Sequence, residues 1–245
     1  MKKTIIILVS SLFSLNSSLF AQYFISKGRI EFEVKANTHK AMGDGMWAEM
    51  AKDNMPKFSI KYYDFSFANN KSVYKFSRND EKAKMPWDNE GENENIWYND
   101  HNSGTFTNLR TIVGESYLLK DSMQQLEWKL ISNETREIAG FYCKKAMTKI
   151  FDSVYVFAFY TEEITISGGP MGLHGLPGMI LGVTIPRLHT SWIATKLQLS
   201  VNESSIVAPA KGKQKTYKEM KKVIQDVTKD WTGDWKDNFV WGMLL

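Results

Sequence analysis

Four stretches of this chain alternate apolar and polar residues with a period of two, a fifth is apolar almost throughout, and nothing between most of them has the three-and-four spacing of a helix. That spacing is the strongest constraint on the fold, because alternation puts every second side chain on the same face of a strand. In "RIEFEVKA", Ile30, Phe32 and Val34 alternate with Glu31, Glu33 and Lys35, which predicts a strand with one wet face. "FSIKYYDFSFANNKSVYKF" predicts a hairpin, since Asn69-Asn70 supplies a pair that tolerates positive φ at the turn. "LEWKLISNETREIAGFYCKKAM" predicts a second hairpin, with Leu126, Trp128 and Leu130 on one face and the polar Ser132 to Thr135 run as its turn. "SVYVFAFYTEEI" is apolar at both parities, as a central strand covered on two sides would be. "TSWIATKLQLSV" alternates again, with Ile193, Leu197, Leu199 and Val201 assigned to one side. Strands in close succession without crossover helices predict an antiparallel meander rather than βαβ units.

Two segments break the pattern. Residues 39–53 place Met42, Met46 and Met50 at helical spacing, against the opposing tendency of Gly43 and Gly45. From Tyr217 onward, Met220, Ile224, Val227 and Trp231 step by three and four, and Thr216 with Glu219 has the spacing of a capping box. The polar run "SRNDEKAKMPWDNEGENEN" is expected to be a loop or an insertion at the rim of the sheet.

Lys2 and Lys3 precede an uncharged, largely apolar run to Phe20 and then Ala21, the layout of a secretory signal peptide over residues 1–21. Residues 22–245 then form one β domain, expected in the periplasm or at the periplasmic face of the outer membrane, with no transmembrane span in the mature chain. The formal charge of +4 is partly carried by the two leader lysines, which leaves no electrostatic case for nucleic acid. Cys143 is the sole cysteine, so no intramolecular disulfide can form and stability must come from the core.

"GGPMGLHGLPGMILG" at 168–182 is the least ordinary stretch. A P-loop needs Lys-Ser or Lys-Thr after its last glycine, and Gly178 is followed by Met179 and Ile180. A nucleophile elbow needs a serine or cysteine between glycines, and the stretch has neither. What remains is a structural loop, Gly175, Leu176, Pro177 and Gly178, read as a type II turn through Leu176-Pro177-Gly178-Met179 that lets other main chain approach closely. His174 stands within it, with no second histidine spaced to share a metal. His39, Met42, Met46 and Met50 carry two readings, thioether ligands for Cu(I) or gap-filling core side chains, with packing preferred. Cys143 reads as a buried structural thiol. No nucleophile, base and orienting group assemble, so no catalytic residue and no cofactor are assigned.

"GLPGMIL" at 175–181 resembles the signature of the GLPGLI family of exported bacterial envelope proteins. "WKLISNETREIAGFYCKKA" at 128–146, "AFYTEEI" at 158–164, "GGP" at 168–170 and "GRIEFE" at 28–33 are similar to further segments of that family. The resemblance implies an envelope accessory protein, met near outer-membrane receptors and export systems, with a strand pattern similar to that of periplasmic lipoprotein carriers. The expected fold is therefore a mainly β single curved antiparallel sheet, a half-barrel with one or two packed helices, with a β-sandwich as the alternative. The expected function is non-enzymatic binding of a hydrophobic ligand or an envelope protein partner, with Trp128, Phe157, Phe159 and Trp192 as lining. A copper-handling protein and an exported hydrolase are the alternatives.

Overall fold

The computed structural model describes residues 24–43, 45–83, 85, 94–151, 153–231 and 234–245. The expected signal peptide and residues 84 and 86–93 of the polar insertion lie outside them. The strands are β1 (Gly28–Asn37), β2 (Phe58–Ala68), β3 (Lys71–Asn79), β4 (Ile96–Asp100), β5 (Thr105–Ile112), β6 (Glu115–Ser122), β7 (Lys129–Ile138), β8 (Phe141–Ile150), β9 (Val154–Thr161), β10 (Met179–Ile185), β11 (Thr190–Gln198) and β12 (Lys213–Lys215). The helices are α1 (Thr38–Ala41), α2 (Met46–Lys52), α3 (Tyr217–Val227) and α4 (Asp234–Leu244). All twelve strands share one open, curved sheet in the order β12-β6-β5-β4-β3-β2-β1-β11-β10-β9-β8-β7, so the fold is the mainly β half-barrel and not a sandwich.

The order resolves into two meanders, β1 to β6 and β7 to β11, zipped together where β1 pairs antiparallel with β11. The expectation of an all-antiparallel sheet fails at one rim, where β12 runs parallel to β6. β12 reaches that rim through residues 199–212 rather than through a hairpin, so no tight turn dictates its direction.

Asn69 and Asn70 have φ of 53° and 56°, the left-handed pair of a type I′ hairpin turn. The second hairpin turns later than its polarity suggests, at Ala139 and Gly140 (φ 51° and 84°), while Ser132 to Thr135 lies within β7. Those residues are polar because β7 is the outermost strand and is exposed almost throughout. Pairing skips from Ile131 to Thr135, opposite Lys145 and Lys144, which leaves Ser132, Asn133 and Glu134 as a bulge.

On β9, Val154, Val156, Ala158 and Tyr160 are buried, whereas Tyr155 is exposed and Phe157 and Phe159 are half-buried, so the strand is fully covered on one face only. A bulge also overturns the parity expected of β11. Phe32 pairs with Ala194 and Glu31 with Lys196, which leaves Thr195 unmatched and puts Trp192, Ala194 and Leu197 on the face of Ile30 and Phe32. Ile193 faces the other way, and Leu199 is exposed beyond the strand.

The single helix expected over 39–53 is two short pieces, broken where Gly43 and Gly45 take φ of 73° and 148°. Met46 is 79% exposed and Met50 60%, so neither fills the core, and the three methionines do not share one helical face. α3 forms as its pattern predicts. Thr216 and Glu219 close the capping box, and Met220 and Ile224 are fully buried, each worth roughly 2 kcal/mol of apolar burial. Trp231 lies beyond α3 and packs on Phe239 of α4, ring centres 4.9 Å apart.

Register explains the core. Ile30 lies opposite Phe65, Phe65 opposite Tyr74 and Tyr74 opposite Trp97, so one row of large side chains crosses four strands. Phe32 meets Phe65 and Tyr74 edge-on at 6.4 and 6.1 Å, and Tyr74 meets Trp97 at 5.3 Å, geometries that add about 1 kcal/mol each to simple burial. At the other end the β7–β8 hairpin curls over the opposite face. There Ile138 reaches Gly182 of β10, three strands away, and a Cβ on that glycine would sit 2.9 Å from the isoleucine methyl.

The glycine-proline stretch joins β9 to β10 across the helix-bearing face. The turn at Pro177 is tighter than type II, since the Gly178 N–H donates to the Leu176 carbonyl at 2.8 Å and closes three residues around the proline. Gly178 has φ of 131°, and any Cβ there would overlap the carbonyl oxygen of Thr161. Glycine is thus required both by conformation and by the approach of β9.

Candidate functional site

Strand parity brings a second set of residues to the helix-bearing face beyond Trp97. Asn99 follows Trp97 on β4, and Phe106, Asn108 and Arg110 share the parity of β5 that faces it. Arg110 is 1% exposed, and its guanidinium stacks 4.3 Å from the Trp97 ring centre. It donates to the carbonyls of Gly242 (3.2 Å) and Met243 (3.0 Å), while the Trp97 indole donates to the Leu245 carbonyl at 2.7 Å. A buried cation therefore holds the C-terminal, partly negative end of α4 against the sheet. Burial pushes its pKa down to about 10, which still leaves it charged at neutral pH.

Beside this clasp lies a cavity of about 400 Å³. Phe106, Leu119, Ile150 and Leu244 give it apolar walls, Asn99 and Asn108 stand in the wall at 4% and 8% exposure, and Lys149, Gln124 and His174 line it as well. The loop after β9 supplies Met171 to His174. Met171 and Gly172 take φ of 56° and 75° in succession, which reverses the chain and leaves Leu173 buried.

This loop is held by the segment before β7. The Trp128 indole donates to the His174 carbonyl at 2.8 Å, and the His174 ring spans the carbonyls of Gly172 (2.8 Å) and Gln124 (2.9 Å). A neutral ring has one N–H and can donate to only one of these two carbonyls at a time, and through that bond the residue acts as a strut between loops. His101 sits beneath, near Gly168. Burial, then the neighbouring His174, pushes its pKa down to about 4. Cys143 is fully buried, and desolvation pushes its thiol up to about 12, far from a reactive thiolate.

The four aromatic residues expected to line a site are not brought together. Phe157 and Phe159 share the face opposite Trp192, with the Lys145 ammonium 5.3 and 5.9 Å from their ring centres. Trp192 is packed in the core, Trp128 braces the loop, and none of the four borders the cavity. His39 is tied to the Met55 carbonyl at 3.0 Å, and among the described residues no three His, Cys, Asp or Glu side chains gather as a metal site. The residues that sequence reasoning missed are Asn99, Asn108 and Arg110. Their signal was present in "IWYND" and "TFTNLRTI", where polar residues occupy the same parity as Trp97 and Phe106.

A smaller recess of about 170 Å³ on the opposite face holds Arg29, Glu31, Asp64 and Lys196. Its acids are matched, Asp64 with Arg29 at 2.6 Å and Glu31 with Arg78 at 3.3 Å, an ion-pair ladder across strands.

Residues 65–221 match the profile of the family described as N-glycanase peptide, N-terminal domain. Comparison with curated protein sequences finds no match. Solved structures with a similar outline include an uncharacterized conserved protein from Thermus thermophilus, 5% identical at a TM-score of 0.41, covering 80% of this chain and 93% of that one. MucB in complex with the periplasmic part of MucA is 9% identical at 0.32, covering 79% of this chain and 57% of that one. The MucA/MucB complex of Pseudomonas aeruginosa is 9% identical at 0.34, covering 77% and 58%.

Proposed function

The chain belongs to the N-glycanase peptide N-terminal domain family, and from that premise we propose that it is a non-enzymatic binding module of the cell envelope. Its ligand is a hydrophobic small molecule or an apolar group of an envelope protein partner, held in the cavity between β4 to β6, the Met171–His174 loop and the end of α4. The family description names the N-terminal domain of an N-glycanase; that activity is said of the named protein, and the description assigns no role to the residues of this chain. The observation that carries the reading is the cavity itself: about 400 Å³, with apolar walls from Phe106, Leu119, Ile150 and Leu244 and polar groups set among them, a size and mixture that suit a small ligand. Localisation in the periplasm or at the outer membrane rests on the leader-like N-terminus and on the GLPGLI resemblance, whose strongest part, 128–185, lies within the family match. No helix among the described residues is long and apolar enough to cross a membrane.

Titration of the purified protein with the neutral apolar fluorophore N-phenyl-1-naphthylamine tests the reading. We expect saturable 1:1 enhancement with a Kd on the order of micromolar. Leu126→Trp, which adds bulk at the cavity wall, should weaken binding at least tenfold. A folded wild-type protein that gives no saturable signal would end the proposal.

A further inference from the structure

Asn99 presents to the cavity an amide that no side-chain hydrogen bond of the protein engages. The residue is 4% exposed and stands in the cavity wall, and its side chain has no hydrogen-bond partner among the described residues. Neither polar atom of the amide is among the fully enclosed ones that lack a partner, so it is open to solvent in the cavity, and a ligand group of matching function can take the place of that solvent. The position is also kept open. A Cβ on Gly172 would lie 3.6 Å from both the amide nitrogen and the amide oxygen of Asn99, and the chain has glycine there, at a φ of 75°. Anything larger at residue 172 would cover the amide.

Its neighbours narrow the ligand. A primary amide offers donors and an acceptor side by side, so its complement is a group with both functions. Asn108, the second amide in the wall, accepts from the Tyr98 N–H at 3.3 Å through its oxygen, leaving its NH₂ to donate. His174 has a main-chain carbonyl against each ring nitrogen, so neither nitrogen is open to a ligand. Arg110 is engaged with α4 and does not border the cavity. The one lysine in the lining, Lys149, is exposed, so no buried cation waits for an anionic head group. A carboxylate placed against Asn99 would lose hydration and have only the solvent-screened Lys149 as countercharge.

We infer that the cavity binds a neutral amphiphile, an apolar chain or ring ending in an uncharged amide or hydroxyl, with Asn99 as the anchor for that polar end. This rests on the binding role proposed above and specifies its ligand class.

The experiment is displacement of bound N-phenyl-1-naphthylamine by three ten-carbon probes at pH 8: decanamide, decan-1-ol and decanoate. Wild-type protein should bind decanamide and decanol at least fivefold more tightly than decanoate. Asn99→Leu should weaken decanamide about fivefold relative to whatever change it makes in the fluorophore's own Kd, the equivalent of one neutral hydrogen bond. Because Asn99 makes no side-chain bond, the ligand-free variant should unfold at an unchanged or higher urea midpoint; should it fail to fold, Asn99→Ser is measured in the same way. Equal decanamide affinity in wild type and variant, or a preference for decanoate, overturns the anchor and leaves Asn99 facing water only. Loss of fluorophore binding by the wild type instead overturns the binding role itself, so the two failures are separable.

Discussion

The two meanders on either side of the β1–β11 seam are packed by different rules. From β8 to β11 the helix-bearing face is closed by aliphatic side chains, with Val156, Ala158, Ile180 and Val183 at or below 1% exposure, and the glycine-proline loop lies against it. From β4 to β6 the same face carries Asn99, Asn108 and Arg110, covered by α4, in which no described side chain is fully buried. Hydrophobic packing alone would have put apolar residues at those parities. Of these Arg110 fixes α4, whereas Asn99 and Asn108 line the cavity, so under the binding proposal this half is the recognising one and the other half is its frame.

The contrast is tested hardest by adding one methyl group to each side. Gly178→Ala in the frame forces a Cβ into the Thr161 carbonyl at a φ only glycine holds comfortably, and should cost roughly 3–5 kcal/mol in urea unfolding or abolish folding. Gly172→Ala beside the cavity meets nothing closer than 3.6 Å, so about 1 kcal/mol of backbone strain is expected, together with weakened ligand binding. Equal penalties would erase the distinction.

Arg110→Ala should cost about 2–3 kcal/mol and, more tellingly, release α4, seen as faster amide exchange confined to residues 234–245. Uniform exchange across the sheet would mean that α4 is part of the frame.

His101, at the border of the two regions, gives a smaller effect. It stays neutral in the folded protein down to about pH 4 but takes a proton near its ordinary value of 6.5 when unfolded. The unfolded chain therefore binds the extra proton between those values, and stability falls as pH drops from about 6.5 towards 4. The loss should be on the order of 1 kcal/mol after allowance for partial exposure, and His101→Gln should remove that component. The smallest change is a gain. Ala139→Gly relieves a left-handed alanine at the β7–β8 turn and should add about 0.5 kcal/mol without altering ligand binding.

How far the sequence could be read follows the same division. The Asn69-Asn70 turn and the capping box of α3 were legible because each is a local rule with a local signature. The β7–β8 turn was not, since Ala139 has no bias towards positive φ and the polar "SNETRE" imitates a turn while forming an outer strand. Parity along β11 failed at Thr195 because one inserted residue inverts every later side chain. α4 escaped because "DWKDNFVWGML" has no marked apolar stripe, and what fixes it is a pair of distant groups, Trp97 and Arg110. The cavity escaped for the same reason: its walls come from five separate parts of the chain.

The three-residue bulge in β7 has a consequence beyond this one molecule. An open sheet ends in two rims of unpaired amides and carbonyls, each a template on which a neighbouring molecule could add its own strand. At β7 that template is interrupted by Ser132, Asn133 and Glu134, and at the opposite rim the outer strand is only three residues long and begins and ends in lysine, Lys213 and Lys215. Fibre growth by rim-to-rim addition is thereby discouraged at both ends.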